Sequence, residues 1–204
     1  MNFYIGDMHL FHANVTGEGN NFDGRPFSTL DEMHSTFKEN WNGTVTNADN
    51  VYLDGDAVWK TNDNAIALVS TLKGNKHLIL GNHDSTKDAR YTQLFTEIVP
   101  YKEISDKAFG QDFRVILSHF PIMFWNRQRH HRVINGKEMP ISIHLYSHVH
   151  NTSEEQLYQK FIKELNETHN YNCIAINVGC MLNGYTPRTL EELLGEEFKN
   201  KYLR

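Results

Sequence analysis

Short apolar runs that each stop at polar residues recur along the chain. The first run, Phe3 to Ile5, stops at Gly6 and Asp7, which is typical of a buried strand that ends in a polar loop. The same pattern predicts strands at residues 2–5, 51–53, 76–80, 114–117, 141–146 and 171–177. The first five of these strands are followed by acidic, amide or imidazole side chains.

Amphipathic stretches lie between these runs. Apolar residues recur at helical spacing over residues 29–41 and 64–72, and each stretch separates two consecutive predicted strands. This strand-helix-strand order predicts βαβ units and therefore an α/β fold. Later helices are predicted at residues 153–165 and 189–194, the second ending at Gly195.

Composition adds constraints on size, location and partners. The 204 residues suit a single domain, 1–204, and the 39% of hydrophobic residues can supply its core. No apolar stretch approaches the roughly 20 residues that span a bilayer, and the chain does not begin like a signal peptide, so we expect a cytoplasmic protein without membrane contact. The net charge of -5 argues against binding of long nucleic acid. Cys173 and Cys180 are expected to be buried small hydrophobes.

The polar residues that follow the first five strands form one set. In open α/β sheets, ligands bind outside the carboxyl ends of the strands, and all of these residues fall there. Each motif alone also fits a polar turn or a surface histidine, but their occurrence after five strands in order indicates one site. The motifs are Asp7-x-His9, Gly55-Asp56, Gly81-Asn82-His83-Asp84, Ser118-His119 and Ser147-His148-Val149-His150.

In this order, the motifs resemble those of the calcineurin-like metallophosphoesterase superfamily. Arg25-Pro26-Phe27, Glu32-Met33 and Trp41-Asn42 are similar to a small single-domain bacterial and phage branch. The resemblance implies a four-layer α/β/β/α sandwich with a dimetal site at the carboxyl ends of the strands. The chain departs from the family at Ser147, where the G-H-x-H motif has glycine. A serine would be strained there if the backbone required a positive φ.

The resemblance also implies which residues hold the metals. Asp7, His9 and His150 would hold one metal together with Asp56, which would bridge to the second. Asn82, His119 and His148 would hold that second metal. Asp54 is an alternative to the bridging aspartate, but Asp56 is preferred because it follows a glycine. Imidazole-rich ligation favours two divalent ions of manganese, iron or zinc.

The implied activity is that of a metal-dependent phosphoric ester hydrolase. A hydroxide that bridges the two metals would attack the phosphorus of a small phosphodiester or nucleotide. His83 would stabilise developing charge or protonate the leaving oxygen, and Asp84 would orient His83. The alternatives are a nuclease that acts on short single-stranded nucleic acid and a metal-binding scaffold without catalytic activity.

Substrate contacts are predicted outside the ligand motifs. His12 and Asn14 follow the first motif and could face the phosphate, while Arg25 could pair with an ester oxygen. The alternatives are loop hydrogen bonds for His12 and Asn14 and an ion pair for Arg25. Trp125 and the basic run at residues 127–132 could form a cap that stacks a base, or only a solvated loop. His144 is expected to be a core histidine rather than a ligand.

Overall fold

The computed structural model describes residues 1–204 and has a mixed α/β fold built on two four-stranded sheets. The strands of the first sheet are β1 (Asn2–Ile5), β2 (Asn50–Asp54), β3 (Asn75–Ile79) and β4 (Glu97–Val99). They are all parallel and lie in the order β1-β2-β3-β4. Their carboxyl ends therefore meet at one edge of the sheet, as the strand-helix-strand pattern predicts.

The second sheet is mixed. Its strands are β5 (Lys102–Ala108), β6 (Gln111–Leu117), β9 (Ser142–Tyr146) and β10 (Ile174–Asn177). They lie in the order β10-β9-β6-β5, with β5 antiparallel to β6 and the other neighbours parallel. A separate antiparallel hairpin consists of β7 (His131–Ile134) and β8 (Lys137–Pro140).

Five α-helices connect or flank the strands. They are α1 (Leu30–Thr44), α2 (Asp63–Ser70), α3 (Ala89–Thr92), α4 (Ser153–His169) and α5 (Leu190–Tyr202). Side chains of Thr29, Asn62 and Thr152 accept N-terminal N–H groups of α1, α2 and α4, which is why these helices begin where they do. None of the helices combines the length and apolar character that crossing a membrane requires.

Alternation along the strands separates the core into layers. Phe3 and Ile5 pack in a cluster with residues of α1 and α2, whereas Tyr4, between them, belongs to a different cluster. That second cluster also contains Val115 of β6 and Leu145 of β9, so the two sheets share an apolar layer. Opposite side chains of β6, β9 and β10 pack in a third cluster with α4.

The structure differs from the sequence-based prediction in several elements, among them helix α3, which is not predicted. Strands β4, β5, β7 and β8 are not predicted; β4 has only three residues, and β5 and the hairpin are rich in polar residues. The last helix does not end at Gly195 but continues to Tyr202, with Gly195 as a non-helical kink. It continues because Phe198 and Tyr202 bury their rings in the layer between the sheets.

Candidate metal centre

The predicted ligands lie in two neighbouring clusters at the carboxyl ends of the strands. The first ligand group consists of Asp7, His9 and His150, and the second ligand group consists of Asp56, His119 and His148. Within each group the ligand atoms all lie within 4.8 Å of one another. Loops after β1, β2, β6 and β9 supply these side chains, so the arrangement draws on both sheets.

Asp56 of the second ligand group lies next to the first. Its Oδ2 atom is 3.6 Å from Nε2 of His9 and 3.4 Å from Nε2 of His119. The first group is equally compact, because Nε2 of His9 is 3.2 Å from Nε2 of His150. Oδ1 of Asn82 lies 3.1 Å from Nε2 of His119, which places this amide beside the second group. All seven predicted ligands are therefore brought together.

Asp7 provides a test of whether these residues suit a cation. It is fully buried, and neither of its carboxylate oxygens has a hydrogen-bond partner. Burial raises the pKa of Asp7 to about 6. An unpartnered buried carboxylate is costly, and a cation in the first ligand group would compensate it. The mixed imidazole and carboxylate donors suit a divalent transition-metal ion.

The backbone at the ligands is held in an uncommon conformation. Five of them have positive φ: Asp7 (52°), His9 (47°), Asp56 (50°), His148 (69°) and His150 (50°). Residues other than glycine rarely adopt this region, and such outliers concentrate at functional sites. Because both φ angles are positive, Asp7 and His9 do not lie on an extended stretch of chain. The left-handed turns bring them together instead.

Two glycines permit the close approach of the ligand loops. A Cβ atom at Gly55 would collide with the ring of His119, and one at Gly81 would collide with the carboxylate of Asp56. Only glycine fits at either position without moving a ligand. The glycines that precede Asp56 and Asn82 in the sequence motifs thus have a steric reason.

A buried ion pair lies behind the first ligand group, and its acidic partner, Asp23, is not identified from the sequence. Oδ2 of Asp23 is 2.8 Å from Nδ1 of His150, and Nε and Nη2 of Arg25 donate to the same carboxylate. Arg25 also donates to the backbone carbonyl oxygens of Met8 and Asp7, at 2.9 and 2.8 Å. Burial alone would raise the pKa of Asp23, but the hydrogen bond from His150 and the charge of Arg25 outweigh it and lower that pKa.

This arrangement corrects the expectation for Arg25. Its side chain is buried and fully engaged by Asp23 and two carbonyl groups, so it does not present a guanidinium to an ester oxygen. The ion-pair alternative is the one observed. The signal that could have found Asp23 is weak, because a carboxylate two residues before an arginine is common in loops.

His83 and Asp84 have different surroundings. The ring of His83 is exposed, with its centroid 5.5 Å from that of His9 and 4.6 Å from that of Trp59. The carboxylate of Asp84 accepts backbone N–H groups of Asp56, Ala57 and Gly81. Asp84 therefore holds the loop that carries Asp56, and the expectation that it orients the ring of His83 is wrong.

The two remaining predicted contacts differ in position. The ring of His12 stacks on Trp59 with centroids 3.8 Å apart and lies 5.5 Å from His9, so it borders the first ligand group. Asn14 is exposed, and its side chain makes no hydrogen bond within the protein. Trp59 was missed at the sequence level, although it follows Asp56 by only three residues.

Ser147 replaces the glycine of the G-H-x-H motif without backbone strain, since its φ is not positive. Its hydroxyl group instead contacts His119, with Oγ 2.9 Å from Nδ1, and donates to the carbonyl oxygen of Asp54. The same carbonyl oxygen is 2.9 Å from Nδ1 of His119. Asp54 thus contributes its backbone to the site, whereas its buried carboxylate lies outside both ligand groups.

Of the two alternatives for the basic run, a cap around Trp125 is not formed. The indole of Trp125 is 8% exposed and packs in the cluster beneath α4, so it cannot stack a base. The guanidinium of Arg129 lies over the ring of Tyr171, and Arg132 donates to Gln111.

His144 is buried between the backbone groups of Ile116 and Ile122, and burial lowers its pKa to about 4.

Comparisons with known proteins support the fold, but the matched proteins have no named activity. No family model matches the chain. The uncharacterized protein MJ1445 of Methanocaldococcus jannaschii is 38% identical over 84 residues, which are 40% of this chain and 46% of that protein, so the match spans less than half of the relative. The gene 66 protein of Mycobacterium phage L5 is 26% identical over 72% of this chain and 76% of its own. A crystal structure of the protein of unknown function AQ665 from Aquifex aeolicus shares the fold, with a TM-score of 0.58 and 23% identity over 94% of this chain and 96% of that one.

Proposed function

We propose that this protein is a dinuclear metal-dependent phosphoesterase that hydrolyses a small phosphodiester or a nucleotide. The observation that carries the proposal is the position of Asp56 between histidines of the two ligand groups, since its Oδ2 lies 3.6 Å from His9 and 3.4 Å from His119. The two sheets with a shared apolar layer and outer helices accord with the α/β/β/α sandwich of the calcineurin-like superfamily.

The charges of the site support a phosphate ester as substrate. Two divalent ions would carry four positive charges, whereas Asp7 and Asp56 carry two negative ones. The centre would therefore have a net positive charge, which favours an anion. When bound, such ions would supply Lewis acidity towards the ester and towards an attacking water. The remaining ligands are neutral imidazoles and the amide of Asn82, which preserve that positive charge.

The chain's own residues divide the other tasks. His83 is exposed beside His9 and held by its backbone N–H, which donates to Oδ1 of Asp56 at 2.9 Å. Its imidazole can therefore donate a proton to the leaving oxygen at the mouth of the site. Asp84 keeps Asp56 in place through three backbone hydrogen bonds. His12 and Trp59 form a stacked wall next to both His9 and His83.

Hydrolysis of chromogenic esters tests the proposal. Protein stripped with a chelator and reloaded with Mn²⁺ should hydrolyse bis-p-nitrophenyl phosphate or p-nitrophenyl phosphate. We expect His83→Ala to lower kcat by about 10²- to 10⁴-fold, the usual contribution of general acid catalysis, while both metals stay bound. His169→Ala, at an exposed histidine near the end of α4, is the matched control and should retain full activity.

The outcomes separate this function from its alternatives. A metal-loaded protein that cleaves neither ester would contradict the phosphoesterase proposal and favour the scaffold. Cleavage of short single-stranded oligonucleotides in strong preference to both esters would favour the nuclease. Full turnover by His83→Ala would remove His83 from the mechanism but leave the metal centre in place.

A further inference from the structure

Two exposed phenyl rings border the candidate metal centre. Phe22 is 46% exposed, and its ring centroid lies 5.0 Å from that of His150 in the first ligand group. Phe120 is 47% exposed, and its centroid lies 4.4 Å from that of His148 and 5.2 Å from that of His119 in the second group. Each ligand group therefore has one solvent-facing phenyl ring against its histidines.

The contacts place the two rings at opposite ends of the centre. Phe22 contacts His150, whose ring stacks on His9 with centroids 5.0 Å apart. Asp56 then separates His9 from His119, and Phe120 lies beyond, against His119 and His148. A group attached to a phosphate at the centre would meet one ring or the other as it extends outwards.

The arginines that the sequence suggests for substrate binding do not take this place. The guanidinium of Arg25 is buried, while Arg129 and Arg132 are engaged by Tyr171 and Gln111. Exposed phenylalanine is unfavourable in water, and a ring that stays exposed beside a polar centre is available to a ligand. The surface next to the phosphate position therefore favours an apolar planar group over a further anionic one.

We propose that Phe22 and Phe120 are two alternative contacts for a planar aromatic group of the substrate, so that the natural ester carries a nucleobase or another aryl ring. This inference rests on the proposed phosphoesterase function, because the phosphate at the metal centre brings the aromatic group to the rings. Contact between aromatic rings is worth about a two- to tenfold change in affinity for each ring. Two rings that the sequence analysis does not name thus take the role that it offered as one alternative for Trp125.

Calorimetric titration of two phosphonates measures this preference without catalysis. Phenylphosphonate and methylphosphonate carry the same anionic group, so their difference in Kd on the Mn²⁺-loaded protein reports the ring contact. We expect phenylphosphonate to bind at least about fivefold more tightly. Phe22→Ala and Phe120→Ala should each reduce that ratio, and the double variant should abolish it while the Kd of methylphosphonate stays unchanged.

Phe124→Ala is the matched control. Phe124 is 61% exposed on the same loop as Phe120, but its ring faces Phe161 of α4 rather than a histidine of either ligand group. This variant should keep the full phenyl preference. Equal affinity for the two phosphonates, no binding of either, or an unchanged ratio in the double variant would overturn the inference. Metal content measured on each variant shows that the centre is intact.

Hydrolysis distinguishes the inference from the function on which it rests. Bis-p-nitrophenyl phosphate and methyl p-nitrophenyl phosphate release the same leaving group and differ only in the second ester substituent. Turnover of both with a higher kcat/KM for the aryl diester, lost in the double variant, supports both proposals. Turnover of both at equal kcat/KM in every protein overturns only the aromatic preference. A phenyl preference in binding without any turnover overturns only the phosphoesterase function.

Discussion

The two ligand groups differ in what supports their histidines from behind. Nδ1 of His150 has one partner, the buried carboxylate of Asp23, which is itself paired with Arg25. Nδ1 of His119 has two neutral partners, the carbonyl oxygen of Asp54 and the hydroxyl group of Ser147. Both arrangements fix the orientation of the ring and leave Nε2 directed at the centre.

The difference shows two ways of holding an imidazole ligand. A carboxylate makes the ring a stronger ligand, but it brings a buried charge that needs its own counterion. Backbone and hydroxyl oxygens add no charge, and either one can hold the ring if the other is lost. The first ligand group should therefore be sensitive to a single change behind it, and the second should be tolerant.

Asp56→Asn should have the largest effect, because Asp56 contacts histidines of both ligand groups. Loss of its charge weakens the attraction for cations on both sides, while the amide keeps nearly the same shape. We expect hydrolysis to fall by more than about a hundredfold, since even changes behind a ligand cost 10- to 100-fold. Metal analysis of the dialysed protein should show loss from both positions. Retention of one metal per chain would contradict a shared role.

Asp23→Asn should have the next largest effect and should act on the first group. We expect the affinity of one metal of the pair to fall by about 10- to 100-fold, measured by competition with a chromogenic chelator. The metal-free protein should also lose about 3 kcal/mol of unfolding free energy in urea, because the buried Arg25 loses its counterion. Asp112→Asn, at an exposed carboxylate of β6, is the control for both measurements. Equal weakening of the two metals would argue against separate support.

Ser147→Ala should have the smallest effect of the three. The carbonyl oxygen of Asp54 still accepts from Nδ1 of His119, so the ring keeps one of its two partners. We expect a change in metal affinity below about tenfold, the lower end of the range for groups behind a ligand. The same chelator competition measures it. A loss as large as that of Asp23→Asn would show that redundancy does not protect the second group.

Much of the fold and the grouping of ligands could be predicted because they follow from chain order. Parallel strands joined by helices bring their carboxyl ends to one edge, and the motifs state which side chains are there. The α/β class follows from the same periodicity. Strand β4 and the β7–β8 hairpin were not predicted, since short or polar strands lack a distinctive pattern of hydrophobic residues.

The supporting contacts could not be predicted for a different reason. Asp23, Trp59 and Ser147 act through side-chain directions that depend on loop conformation rather than on spacing. The contacts of Asp84 could not be predicted for the same reason. Its place next to His83 in the sequence suggested that it orients that ring, whereas its carboxylate oxygens accept backbone N–H groups of two loops. The left-handed backbone at five ligands likewise has no signature in residue types such as Asp and His alone.

Arg25 also has a consequence for local motions. Its side chain connects the loop that carries Asp23 to the carbonyl oxygens of Asp7 and Met8. If that loop moved away, the charges of Asp23 and Arg25 would become exposed, and the backbone after β1 would lose its contacts with Arg25 at the same time. Such a loop cannot fray residue by residue as most surface loops do. It should open as one cooperative unit, and the first ligand group should come apart in the same event.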